Sequence, residues 1–174
     1  MHLPGVNQRK LIKRNANQFD TIRTMKKVAF ESAKNPYFKY LIKKYDLSDD
    51  LPSIKKIFNY AFYNTRFKKD PLNVQQIRSG VRSLKDKTVN CVDYSILLSS
   101  FLINLGVKHS FRMVAVNPNE NFSHIYVILK NNVPLDPVIG QKQDGSEVFK
   151  SNKYRKNFFG KEIPFNKKFD LKIL

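Results

Sequence analysis

Between Asn90 and Gly106 the chain carries Ile96, Leu97, Leu98, Phe101, Leu102, Ile103 and Leu105, apolar nearly all the way round a helical wheel. A helix without a polar face has to be surrounded, so the remaining elements are obliged to form a shell around this one. The segment falls short of the roughly 20 apolar residues a membrane span needs, and Ser99, Ser100 and Asn104 interrupt it. Its ends are marked. Asn90 is a good N-cap, Asp93 falls in the first turn where its charge suits the helix dipole, and Gly106 stands where a C-terminal glycine belongs. Asp93 reads as a cap or first-turn charge and nothing more.

The shell is legible upstream. Ile22, Met25, Val28, Ala29 and Ala33 recur at three and four, which predicts an amphipathic helix from Phe19 to just before Asn35-Pro36. Tyr37 to Tyr45 forms a second helical piece. Ser48-Asp49-Asp50 then supplies turn and cap residues for a third helix carrying Ile54, Ile57, Phe58, Ala61 and Phe62 and running to about Phe67. After a break at Lys68–Leu72, one short helix is expected around Gln75–Ile77. Residues 1–18 read as a basic arm without a sustained period.

Downstream the period changes to two. Phe111–Val116, Ser123–Leu129 and Val133–Asp136 read as strands, with Lys130-Asn131-Asn132 as the turn between the last two. Phe169, Leu171 and Ile173 alternate as a final strand at the end of a basic, aromatic tail. The expected fold is α+β: a helical leader and a central cysteine-bearing helix on a small antiparallel β-sheet. At 174 residues the chain is about one domain's worth. The reading is an arm over 1–18 and one domain over 19–174, with helices to 105 and sheet and tail from 106.

If the second and third strands pair across that turn, Val127 faces Leu135 and Tyr126 faces Asp136. Ile125, Val127, Leu129, Val133 and Leu135 then make one apolar face, and a slip of one residue would turn all five toward water. The opposite face carries His124, Tyr126 and Asp136, with Asp136 diagonal to His124 at roughly 7–8 Å between backbones, a gap two side chains can close. Tyr126 reads equally as cleft lining or as packing. The single cysteine, Cys91, opens the buried helix, where free N–H groups and the dipole favour a thiolate. Taken alone, such a cysteine is more often a small buried hydrophobe. With a His–Asp pair to match, it reads as a nucleophile, His124 as base and acid, and Asp136 as the group orienting the imidazole. The Cys91 backbone N–H would serve a developing oxyanion. His109, beside Gly106-Val107-Lys108, reads as a loop residue.

Cys91-Val92-Asp93-Tyr94 opening an apolar helix that ends Leu105-Gly106-Val107, then Ser123-His124-Ile125-Tyr126-Val127, then Leu135-Asp136-Pro137, resembles the transglutaminase-like branch of the papain-like cysteine enzymes. The likeness covers about Asn90 to Pro137, more weakly Tyr63 to Leu84, and looks most like the small transglutaminase-like proteins of tailed phages. It departs from the family in having Val89-Asn90 before the cysteine and no Trp ahead of the aspartate. The resemblance implies a papain-like fold, a triad mapping onto Cys91, His124 and Asp136, a peptide or protein substrate, and no cofactor. It also implies that a catalytically silent virion or assembly protein of the same fold is the alternative.

Composition bears on partners. The chain has 32 Lys+Arg against 14 Asp+Glu, a net charge of +18, and a field that strong favours polyanions. The segment 91–141 is neutral, with three basic and three acidic residues, so the excess lies on leader and tail. Arg9, Lys10, Lys13 and Arg14, with Lys153, Arg155 and Lys156, are the candidate contacts to nucleic acid or an acidic protein, with no motif for reading bases. No Gly-rich phosphate loop, CxxC, HExxH or fixed repeat occurs, and three His with one Cys make a metal site unexpected. The start of the chain lacks the apolar core of a secretory signal, and one cysteine cannot form an internal disulfide. Both point to a reducing, cytoplasmic setting, or to host cytoplasm or virion for a phage-encoded chain.

Overall fold

A computed structural model of the chain describes residues 17–71, 75–115, 117–138 and 165–174, with the backbone of 9–11. Its elements are β1 (Arg9–Leu11), α1 (Gln18–Ala33), α2 (Pro36–Lys44), α3 (Leu51–Asn64), β2 (Arg66–Phe67), β3 (Gln76–Arg78) and α4 (Gly80–Asp86). There follow β4 (Thr88–Val89), α5 (Cys91–Asn104), β5 (His109–Ala115), β6 (His124–Leu129), β7 (Pro134–Leu135) and β8 (Lys167–Lys172). The fold is α+β, as the change of period requires.

Each helix starts on a side-chain cap. Asn17, Asn35, Asp50, Ser79 and Asn90 accept from the N–H groups of Asp20, Tyr37, Ser53, Arg82 and Asp93 respectively. A cap of this kind contributes roughly 0.5–2 kcal/mol. At the far end of α5, Gly106 takes φ 70°, and the Val107 N–H closes on the Leu102 carbonyl at 2.9 Å. That left-handed turn is the one a glycine allows without strain.

As an all-round apolar helix must be, α5 is enclosed: α1, α2, α3 and α4 pack around it, with β6 and, to a lesser extent, β3, β4 and β5. Ile96, Leu97, Leu98 and Leu102 have no exposed surface. Close approach of α4 depends on Gly80, where a Cβ would sit 2.7 Å from Phe38 Cζ and 3.2 Å from Leu97 Cα. The Gly80 N–H donates to Ser32 Oγ at 2.9 Å. No helix among the described residues is long and apolar enough to cross a membrane.

The sheet has the order β7-β6-β5-β8 and is antiparallel throughout. Val127 pairs with Leu135 and Ile128 with Pro134, the register that the apolar face demands. Ile125, Val127, Leu129 and Leu135 enter the main core with Val133 packed against it. The turn is closed by Asn132 at φ 61°, a conformation Asn tolerates better than most residues. Phe169 and Leu171 on β8, and Ile173 just after it, reach the same core. Arg112 and Asp170, paired across β5 and β8, form a two-pronged ion pair, with both N···O distances 2.7 Å.

Three expectations are corrected. α3 ends at Asn64 and does not reach Phe67: the Thr65 hydroxyl donates to the Ala61 carbonyl at 2.7 Å, and Arg66–Phe67 leaves as a strand parallel to Thr88–Val89. The short helix expected around Gln75–Ile77 is a strand, β3, antiparallel to β1, and the helix begins at Gly80. His109 is not in a loop. It opens β5, 2% exposed, with Nε2 2.7 Å from Ser99 Oγ and Nδ1 2.7 Å from the Val107 carbonyl oxygen. A carbonyl only accepts, so Nδ1 carries the proton and Nε2 accepts from Ser99. Burial holds this imidazole down to about 4 against the opposing Val107 bond.

Candidate active site

Cys91 is the first residue of α5 and half-buried. Its position is fixed by the residue before it. Asn90 Oδ1 accepts from the Asp93 N–H at 2.9 Å, and the Asn90 N–H donates to Asp93 Oδ2 at 3.3 Å, a reciprocal capping box. The Asn90 amide nitrogen donates to Asp70 Oδ2 at 2.7 Å and to the Gln76 carbonyl at 3.2 Å. Every polar atom of that side chain is therefore engaged, and the turn carrying Cys91 is tied to Asp70 and to β3.

Asp93 does more than cap. It is fully buried, accepts the Arg78 backbone N–H at 2.8 Å through Oδ1, and is ion-paired with Arg78 Nη1 through Oδ2. Burial pushes its carboxyl up to about 6 against the pull of Arg78. Arg78, itself buried, also donates from Nη2 to Gln76 Oε1 at 2.8 Å and lies 3.4 Å from Asp86 Oδ2. Arg78, Gln76 and Asp70 are not among the residues the sequence singles out. The Asn90–Asp93 spacing is a visible capping signature, but a partner fifteen residues upstream leaves no periodic trace.

On the sheet, His124 opens β6 and Asp136 follows β7. The register places them diagonally, and His124 Nε2 is 2.6 Å from Asp136 Oδ2. Asp136 is 2% exposed, and its Oδ1 accepts the Val138 N–H at 3.1 Å, so both oxygens are held. The Cys91 thiol is close enough to the ring to help raise its basicity. With Nε2 taken by Asp136, Nδ1 is the nitrogen left for sulfur. Burial alone lowers the imidazole, but the Asp136 charge and hydrogen bond, with Cys91 adding, outweigh it and push it up to about 10. The ring is thus an imidazolium at neutral pH.

The loop before His124 is braced from the helical side. Gln18 Nε2 donates to the Phe122 carbonyl at 2.6 Å, and the Phe122 N–H donates back to Gln18 Oε1 at 3.2 Å. Phe19 sets its ring edgewise to Phe122 and Phe169, with centroids 6.1 and 5.0 Å away. Tyr126 is 2% exposed, its ring 5.7 Å from that of His124, and it packs with Val114, Ile128 and Phe165 on the second face of the sheet. Packing is the reading the structure supports for it.

The seven basic candidates fall almost wholly outside the described residues. Arg9 and Lys10 lie on β1, opposite Arg78 and Ile77, and their side chains, like Lys13, Arg14, Lys153, Arg155 and Lys156, lie outside the described residues.

No protein-family model matches the chain, and no curated protein matches it. Among solved structures it is similar to a candidate cysteine protease from Cytophaga hutchinsonii, with a TM-score of 0.36 and 13% identity over 76% of this chain and 43% of that one. The chain therefore spans less than half the length of that protein.

Proposed function

We propose that the protein is a transglutaminase-like cysteine peptidase or acyltransferase of papain-like type, with Cys91 as nucleophile, His124 as acid and base, and Asp136 as orienter. The observation that carries this reading is the 2.6 Å bond from His124 Nε2 to a buried Asp136 on one side of a ring whose other neighbour is the Cys91 thiol. A protonated imidazole beside a thiol favours the thiolate, and the reaction starts from the pair in which the sulfur has no proton and His124 carries one. The sulfur attacks the carbonyl carbon of a peptide or a glutamine side chain. His124 gives its proton to the leaving amine or ammonia, and a thioester remains on Cys91. The now neutral ring takes a proton from water or an incoming amine, which attacks the thioester and returns the pair to its starting state. Asp136 keeps Nε2 engaged throughout, so that Nδ1 faces the reaction, and the Cys91 backbone N–H at the helix start meets the oxyanion.

Intact-mass spectrometry with an activated acyl ester tests this. A single acyl adduct on Cys91 that water or an amine discharges, and that fails to accumulate in His124→Ala, is the expected result. Acylation spread over lysines and unchanged by that substitution overturns it.

The net charge of +18 supports a second reading, a non-catalytic protein that docks on nucleic acid or an acidic partner through its basic leader and tail. It predicts binding that weakens steeply with salt and survives Cys91→Ala. Binding indifferent to salt sinks it.

A further inference from the structure

Ten residues along α5 from Cys91, about 15 Å at the rise of a helix, Phe101 lies at the base of a separate cavity of about 310 Å³ between α3, the α2–α3 turn and α5. Its walls are the rings of Tyr45, Tyr60 and Tyr63, with Lys56 and Asn59 beside them. Tyr45, Tyr60 and Phe101 are joined by two ring contacts. Tyr60 lies 5.7 Å from Tyr45 and 6.1 Å from Phe101 between centroids. Burial, then a hydrogen bond with Tyr37, pushes its phenol well above the ordinary value, so it stays neutral.

This corner of the molecule also leaves aromatic surface uncovered. Tyr40, Tyr45 and Tyr63 are 44%, 41% and 56% exposed, three of the five large exposed hydrophobic side chains among the described residues. Lys44 Nζ stands over two of those rings, 5.4 Å from Tyr45 and 5.8 Å from Tyr40. Lys43, Lys44, Lys55 and Lys56 are all exposed on the two helices. Of the acids on the connecting turn, Asp46, Asp49 and Asp50, the last is committed to capping α3 through Ser53 and to Ser48.

We propose that this cavity holds a base of single-stranded nucleic acid, with the adjoining phosphates on Lys44 and Lys56. Aromatic faces beside cations are the recurrent means of holding an unpaired strand, because every base has a face to stack and every linkage a charge to meet. A cavity near the lower end of the roughly 300–1,000 Å³ of ligand sites suits one planar ring system. The Asn59 amide supplies a donor and an acceptor for a base edge. The lysines and the overall charge favour a polyanion over an aromatic peptide. The site is independent of the triad and rests on no part of the catalytic reading.

The test uses the full chain with isotopically labelled tyrosine rings, titrated with short oligothymidylate, its duplex with oligoadenylate, and heparin. Oligothymidylate is expected to move the Tyr45, Tyr60 and Tyr63 ring signals, the duplex and heparin to leave them in place. By fluorescence anisotropy, Tyr45→Ala and Tyr63→Ala should each weaken oligothymidylate binding on the order of tenfold, and Tyr63→Phe should keep wild-type affinity. Both tyrosines are exposed, so the variants should fold. Strand binding with unmoved tyrosine signals assigns the contact to leader and tail and overturns the proposal. So do equal shifts with heparin, or displacement of the strand by a tyrosine-rich acidic peptide that moves the same signals.

Discussion

His109 gives a stability prediction that depends on no functional reading. The ring is neutral in the fold, donating from Nδ1 to Val107 and accepting from Ser99, and burial lowers it from 6.5 to about 4. An unfolded chain binds a proton at this residue once pH drops below about 6.5, whereas the folded chain declines it until about 4. Stability is therefore fully present above 6.5 and is lost as pH falls through that window. Between pH 7 and pH 5 this one group removes about 2 kcal/mol, and about 3 kcal/mol by pH 4. Asp93, raised to about 6, acts in the opposite direction between about 4 and 6, so wild type alone does not isolate the effect. Comparison with His109→Gln does, since a glutamine amide can serve both Ser99 and Val107 and does not titrate. Urea unfolding followed by circular dichroism at pH 7 and pH 5 should show wild type losing about 2 kcal/mol more than the variant. Equal losses in the two proteins, or a His109 signal titrating near 6.5 by NMR, would refute the reasoning.

Other perturbations follow from the same geometry. Asp136→Asn removes the charge that does most to hold His124 up at about 10 and leaves burial opposed by Cys91 alone, so the ring should titrate well below 10 by NMR. The stability that this pair contributes in wild type is full below 6.5 and is lost as pH rises through about 10, and the variant should lack that alkaline loss. Arg78→Met strands a buried carboxylate at Asp93 and should lower the unfolding free energy by roughly 3–5 kcal/mol. A urea midpoint close to wild type would remove Arg78 from its place under the Cys91 turn. Gly80→Ala forces a Cβ to within 2.7 Å of Phe38 Cζ and should cost roughly 1–3 kcal/mol by overpacking, seen as a lower melting temperature.

Much of this was legible in the chain because its strongest signals are local. The polarity of Asn90, Asp93 and Gly106 around an all-apolar run delimits α5 closely, and the five alternating apolar residues of β6 and its turn partner fix the register that carries His124 to Asp136. What escaped had no period. β2, β3 and β4 are two or three residues long, too short for alternation to show, and Ile77 is buried in a strand because β1 pairs with it across more than sixty residues. His109 follows a glycine turn and reads as loop, yet the hydroxyl that makes its burial tolerable is Ser99, on the preceding helix. Asp93 is sufficient as a cap by sequence. That it is also the buried partner of Arg78 depends on how α5 meets β3, which tertiary packing alone determines.

The most direct test of the proposed chemistry is the rate at which Cys91 is alkylated by iodoacetamide at pH 6, with His124→Ala beside wild type. An ordinary thiol of pKa about 8.5 is under about one per cent thiolate there. If the imidazolium of His124 and the sulfur form the reactive pair, Cys91 should label at least about tenfold faster than glutathione and fall to the ordinary rate in the variant. Labelling no faster than glutathione, and unchanged by loss of His124, would contradict the account.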